Sequence, residues 1–282
     1  MAAGDTISIR DNVGNALRFA RENWRFVLAV AALAAGAQGL VFLLGLNLFW
    51  IGAVLVAVLA AHTALVSAAL VLPRPFFSRL ASDSARVGVA MTMLGALCVI
   101  VFVMITFFAM SVLLAPYGEQ VKAAGEDSAA VQAIMERALQ SQPEAMSWMS
   151  VFAAVLLFAL TTRFYLAAPA SIDRRRIVLF DSWKMTRGNL LRITGARLLL
   201  LGPAFIFVSA LQTLVAMAVG APAGDPAALI GYASANPVGF GGFYTVSIFL
   251  QVSVYSALEA GLSASFYRAL CIASATRAST DS

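Results

Sequence analysis

Long apolar runs, broken by short basic or Pro/Gly-rich stretches, make up most of this chain. Several exceed the roughly 18 residues that argue for a membrane crossing, and six helices follow from them. The first spans Phe26–Leu46 and the second Leu48–Leu72, which Pro73 and Pro75 close. The third spans Val87–Ala115 and stops at Pro116; the fourth spans Trp148–Ala168 and stops at Pro169. The fifth covers Thr194–Gly220, with a kink expected near Pro203, because proline removes a backbone donor and crowds the preceding turn. The sixth covers Phe240–Leu262, and Ile272 is the furthest point to which its helix is read. The pattern predicts an all-α, polytopic membrane protein, a single transmembrane domain over residues 1–282.

Two polar segments carry a helical period of their own. Residues 11–25 and 173–190 read as amphipathic helices lying in the membrane interface, where basic residues opposite an aromatic stripe are attracted to anionic headgroups. Val13, Leu17, Ala20 and Trp24 form one apolar stripe, and Leu179, Trp183, Thr186 and Leu190 repeat it at the same spacing. Around the stripes Arg18 matches Lys184, Arg21 matches Arg187, and Asn23 matches Asn189. A third basic stretch, Arg74–Arg86, precedes the third helix, so the layout reads as three helical hairpins, each introduced by a basic segment. This echo relates the first and fifth helices in parallel, unlike the inverted repeats common in transporters.

Composition agrees with the pattern. The hydrophobic share is 61% and the charged share 12%, against roughly 45–50% and 25% in soluble domains. Charge then sets the orientation. With the N-terminus placed inside, the inner segments hold Arg10, Arg18, Arg21, Arg25, Arg74, Arg79, Arg86, Arg163, Arg174, Arg175, Arg176, Lys184, Arg187, Arg192, Arg197, Arg268 and Arg277. The outer segments hold only Lys122 and Arg137. By the positive-inside rule both termini are expected to be cytoplasmic. The same clustering argues against nucleic acid as a partner, despite a net charge of +5, because the cations flank apolar runs and do not form a groove-binding face. No secretory signal is expected in residues 1–25, which are polar and amphipathic. Of the two outer loops, Tyr117–Ser147 is acidic on balance (Glu119, Glu126, Asp127, Glu136, Glu144) and reads as a small cap or, alternatively, a ligand-binding lid. Ala221–Gly239 reads as an irregular connector.

Candidate chemistry is sparse. Arg163 lies about 22 Å along the fourth helix from Trp148, at 1.5 Å per residue, and Glu259 lies at a similar depth on the sixth. A lone charge at the bilayer centre costs at least about 2.5–3.5 kcal/mol, so the two are expected to pair, either as an interhelical clamp or as an ion or substrate site. Tyr244, Ser247, Gln251, Tyr255 and Glu259 recur every three or four residues and form one polar face, which serves either interhelical hydrogen bonds or a permeation path. His62, the only histidine, sits mid-span as a core hydrogen-bonding residue or a proton relay. Gln38, Asn47 and Gln212 add scattered polarity. Cys98 and Cys271 lack zinc or redox spacing and read as small apolar core residues. Neither a glycine-rich phosphate loop nor a GxSxG elbow is found, and a single histidine makes a metal site or a Ser-His-Asp triad hard to assemble. No enzyme activity, cofactor or metal is therefore expected. Arg18, Arg21, Arg25, Arg174, Arg175, Arg176, Lys184 and Arg187 are the expected lipid-headgroup contacts.

The string Arg163-Phe164-Tyr165-Leu166-Ala167-Ala168-Pro169-Ala170, followed by Ser182-Trp183-Lys184-Met185-Thr186-Arg187-Gly188-Asn189, resembles the pattern RLxLAxPA … SWxLTRGxxWR. That pattern belongs to the bacterial membrane domain attached to some glycerophosphoryl diester phosphodiesterases and to stand-alone YciC-like multi-pass proteins. Ala264–Leu270 resembles the tyrosine-arginine ending of that family's last helix. The likeness is clearest over residues 160–270, and it departs at Arg174–Arg176, where relatives often carry an acidic or neutral stretch. It implies a multi-pass protein of the bacterial inner membrane and transfers no catalytic residue, since phosphodiesterase activity belongs to a soluble barrel not found in this chain. The leading functional expectation is a non-enzymatic role in envelope or membrane homeostasis through lipid or protein contacts. The alternatives are a carrier for a lipid or small amphiphile, and an accessory subunit bound to a membrane-protein partner.

Overall fold

The computed structural model describes residues 7–44, 50–72, 77–125, 127–222 and 226–280. Pro73, Arg74, Pro75, Asn47, Glu126 and the Arg277 side chain lie outside the described residues. Every regular element among the described residues is helical. In chain order these are α1 (Ile9–Glu22), α2 (Trp24–Leu43), α3 (Trp50–Ala69), α4 (Phe77–Leu114), α5 (Gly118–Ala124), α6 (Ser128–Ser141) and α7 (Pro143–Arg163). They continue as α8 (Ala167–Asp173), α9 (Phe180–Met185), α10 (Leu190–Val219), α11 (Pro226–Ala235), α12 (Pro237–Leu250) and α13 (Ala257–Thr280). A π-turn, Gln251–Ser256, joins α12 to α13. Six helical stretches are long and apolar enough to cross a membrane, carried by α2, α3, α4, α7 with α8, α10, and α12 through α13.

Side-chain capping sets three of the helix starts. Ser8 Oγ accepts from the Asp11 amide at 3.2 Å and starts α1; Asp127 does the same for α6 from Ala129 and Ala130. Asn236 accepts from the Gly239 amide and, with Pro237 in the first turn, opens α12. A side-chain acceptor satisfies amides that the first helical turn leaves without partners.

Several expectations are corrected. The fourth span is not one continuous helix stopped by Pro169: α7 ends at Arg163, and Pro169 lies in the first turn of α8, where its missing N–H has no partner to lose. Residues 173–190 do not form one interfacial helix. Arg175, at φ 52, takes a left-handed turn after α8, and only the six-residue α9 is helical before Gly188, at φ 84, leads into α10. The structural echo with α1 is therefore confined to sequence. The expected connector 221–239 contains α11, and the sixth span is interrupted by its π-turn.

The chain forms two compact units, Met1–Met91 with Arg163–Ser282, and Thr92–Thr162. In the first, Val27, Ala31, Ala34 and Ala35 of α2 pack with Leu65 and Val66 of α3 and with Val252, Ala257 and Ala260. A second cluster joins Ala16 of α1 to Leu166, Ile193, Ala196, Leu262 and Phe266. The buried face of α1 centres on Asn12 and Ala16, both under 5% exposed, whereas Leu17 and Trp24 are half exposed. Thus α1 is docked on α13 and not merely laid on the membrane. In the second unit α6 buries Ile134 and Ala138, the Tyr117 and Ser141 hydroxyls meet at 2.9 Å, and α4 and α7 flank an apolar cleft of about 660 Å³ lined by Met104, Phe108, Trp148 and Phe152.

Helix α3 ends in a Schellman motif, with the Leu72 amide bonded to Ser67 and the Val71 amide to Ala68. The left-handed position is filled by Val71, at φ 59, where glycine is usual. That conformation costs an L-residue about 1–2 kcal/mol, and glycine returns part of the gain as unfolded-chain entropy, about 0.4–1 kcal/mol. Val71→Gly is expected to stabilise the protein by about 0.5–1 kcal/mol, seen as a raised thermal midpoint; a lowered midpoint would refute the strain.

Candidate functional site

The SWKMTRG segment and the end of α7 form one clamp. Ser182 Oγ donates to the main-chain carbonyl of Arg163 at 3.3 Å. The Thr186 hydroxyl lies 3.1 Å from the carbonyl oxygens of both Arg163 and Trp183 and donates between them. Both hydroxyl residues are fully buried. They occupy successive turns of one helical face, which puts two donors over a carbonyl that a helix end leaves without its amide partner. The Arg163 guanidinium stands 5.2 Å from the Trp183 ring centre, and Phe164 contacts the rings of Trp183 and Phe180 at 5.4 and 6.2 Å. The family-like string is thus a structural lock between α7 and α9.

This geometry corrects the expected Arg163–Glu259 pair. The ion pairs among the described residues are Arg79 and Arg86 with Asp83, Lys122 with Glu119, and Arg174 and Arg176 with Asp181. Arg163 is committed to Trp183. A second arginine, Arg197 of α10, is 8% exposed, and its guanidinium lies 4.7 Å from the Tyr165 ring centre. The Tyr165 hydroxyl donates to the Glu259 main-chain carbonyl at 3.3 Å, so Tyr165 bridges the Arg197 guanidinium and the α13 backbone. The α9 hydroxyls hold the Arg163 end of α7 beside Trp183. Arg197 was legible as a cation inside the fifth apolar span, Thr194–Gly220, a rare and costly position.

The expected polar face is reshaped by the π-turn. Such turns insert extra backbone into a helix and recur at functional sites. Here the turn changes phase between Ser247 and Tyr255, so the regular stripe does not run through. The Tyr244 ring meets those of Phe240 and Phe243 at centroid distances of 4.6 and 5.5 Å, tilted against the first and edge-on to the second. Ser247 is buried, and its carbonyl accepts from Gln212 at 3.3 Å. Gln251 opens the turn, and Tyr255 within it packs against the cluster that contains Tyr165 and Leu262. Gln38, fully buried, has neither amide atom hydrogen-bonded, a polar interior position that sequence marked only as scattered.

The eight expected headgroup residues, Arg18, Arg21, Arg25, Arg174, Arg175, Arg176, Lys184 and Arg187, are all exposed. They differ in freedom. Asp181 holds Arg176 at 2.9 Å and Arg174 at 3.8 Å, and contact with the Tyr267 hydroxyl is the largest influence raising the Arg174 pKa from its ordinary value. Tyr267 in turn donates to Asp173 at 2.7 Å. Arg25 lies over its neighbour Trp24 at 5.3 Å. Asp83, 2% exposed between Arg79 and Arg86, shows that these two cations neutralise a buried carboxylate.

No family model, curated protein or solved structure matches the chain.

Proposed function

We propose that this protein is a non-enzymatic multi-pass protein of the bacterial inner membrane, with both termini cytoplasmic, that serves membrane homeostasis by gripping anionic lipid headgroups. The observation that carries the reading is the company its exposed cations keep. Arg18, Arg21 and Arg25 are exposed beside Leu17 and Trp24, and Arg175, Arg176, Lys184 and Arg187 beside Ile177, Phe180 and Trp183, all five apolar side chains being 43–65% exposed. Cations next to unburied aromatic and aliphatic groups match a headgroup layer that is anionic above and apolar below. Both segments border the start of α10: α9 precedes it in the chain, and Ile9 of α1 approaches Gly195. The cytoplasmic assignment rests on the distribution of Lys and Arg, and the bacterial one on the resemblance to the phosphodiesterase membrane domain.

Each cation near an anionic surface contributes about 1 kcal/mol. Changing Arg175, Arg176, Lys184 and Arg187 together to glutamine is expected to weaken the preference for anionic over zwitterionic lipid at least about tenfold, read by lipid titration of the protein in nanodiscs. An unchanged preference would sink the proposal.

A further inference from the structure

We infer that a cleft beside α1 binds a phospholipid whose headgroup is zwitterionic, a phosphate bearing a primary ammonium. The cleft encloses about 720 Å³ between α1, the end of α3 and the second half of α13, within the roughly 300–1,000 Å³ of small-molecule sites. Four charged side chains line it: Asp11, Arg18 and Glu22 from α1 and Arg268 from α13. Their charges cancel, yet the ion pairs among the described residues all lie elsewhere. Opposite charges around one cavity without contact between them leave both signs available to an occupant. A purely anionic headgroup meets Asp11 and Glu22, and a purely cationic one meets Arg18 and Arg268. A zwitterion satisfies both pairs.

The wall is already ordered. Asn15 donates to Ser265 Oγ at 3.2 Å, Ser265 donates to Asn12 Oδ1 at 2.8 Å, and Asn12 donates to the Ser8 carbonyl at 2.7 Å. Asn12 and Ser265 are each 4% exposed, so α1 and α13 are tied together across the cleft floor, and little ordering is left for binding to require. Phe19, Ala68, Val71, Ala269 and Ile272 supply an apolar side, and α3 and α13 are themselves membrane-spanning helices. A headgroup with attached acyl chains fits that division; a soluble zwitterion uses only half of it. Asp11 and Glu22 further favour an ammonium that keeps its N–H donors, because a carboxylate hydrogen-bonds to such a group and not to a quaternary one. This site takes a different lipid class, through largely different residues, from the basic rim described above.

The full chain in nanodiscs of choline phospholipid, titrated with ethanolamine phospholipid, tests the site by thermal unfolding. Saturable stabilisation is expected that neither more choline nor glycerol phospholipid reproduces. Asp11→Asn with Glu22→Gln should abolish the ethanolamine-over-choline preference, and Arg268→Gln should weaken the apparent affinity at least fivefold. All three positions are exposed, and the two carboxylate changes are near-isosteric, so the variants should fold. Equal stabilisation by choline and ethanolamine lipids, or an undiminished preference in the doubly substituted protein, would overturn the inference. Soluble phosphoethanolamine acting as strongly as the lipid would overturn a lipid occupant. The four-cation rim variant should keep the ethanolamine response, which separates failure of this site from failure of the anionic-lipid reading.

Discussion

Phe164→Ala is expected to lower the unfolding free energy by about 3–5 kcal/mol, the range for deleting a buried phenylalanine from a packed site. Phe164 is 2% exposed and sits in the break between α7 and α8. Its ring meets Trp183 and Phe180, and its preceding residue supplies the carbonyl that Ser182 and Thr186 cap. Removing the ring leaves a cavity beside the hydroxyl lock between α9 and the end of α7, so the hydroxyl contacts should weaken with it. Thermal or denaturant unfolding in micelles gives the measure. Phe107→Ala is the control, since Phe107 is 73% exposed and faces lipid or detergent. If both variants lose the same stability, the lock around Phe164 is not what holds this region.

Gly261→Leu should release α1. A Cβ at Gly261 would stand 3.0 Å from Ala16 Cα, 3.1 Å from the Phe19 ring and 3.2 Å from the Ala16 carbonyl oxygen. Two of these neighbours are backbone, which has no rotamer to escape into. Alanine gains about 1 kcal/mol of helix propensity over glycine, so Gly261→Ala should be nearly neutral as propensity offsets crowding. Leucine adds bulk with no compensating space, and overpacking costs about 1–3 kcal/mol. Because α1 is the displaced partner, the loss should appear as faster tryptic cleavage at Arg18 and Arg21, together with loss of the ethanolamine-lipid response. Gly242→Leu, where nothing approaches within 4 Å, should leave cleavage unchanged. Equal cleavage in the two leucine variants would show that α1 does not depend on the close approach at Gly261.

The contrast between Arg163 and Arg197 shows how much of the site was legible. Both arginines are marked by their cost in an apolar setting, and hydropathy locates each to within a turn. Their ring partners, Trp183 for Arg163 and Tyr165 for Arg197, lie 20 and 32 residues away in the chain, and the end of α7 is fixed by two hydroxyls 19 and 23 residues further along. The SWKMTRG string stood out as a pattern without a physical meaning until its serine and threonine were seen on one carbonyl. Asn12, Asn15 and Ser265 carried no signal at all, being small polar residues whose contacts are about 250 positions apart.

Sequence alone determined the all-helical class, the six apolar spans and the segments that carry exposed cations. These follow from local quantities, the length of an apolar run and the charge at its ends, which the bilayer reads without reference to the fold. Tertiary structure alone decided that α1 is docked on α13, that residues 173–190 break at a left-handed Arg175, and that a π-turn shifts the face carrying Glu259. Each depends on a backbone approach or a hydrogen bond between distant residues, and no period or composition records that. The mixed-charge cleft is of the same kind: four ordinary surface charges become a site only when two helices from opposite ends of the chain bring them together.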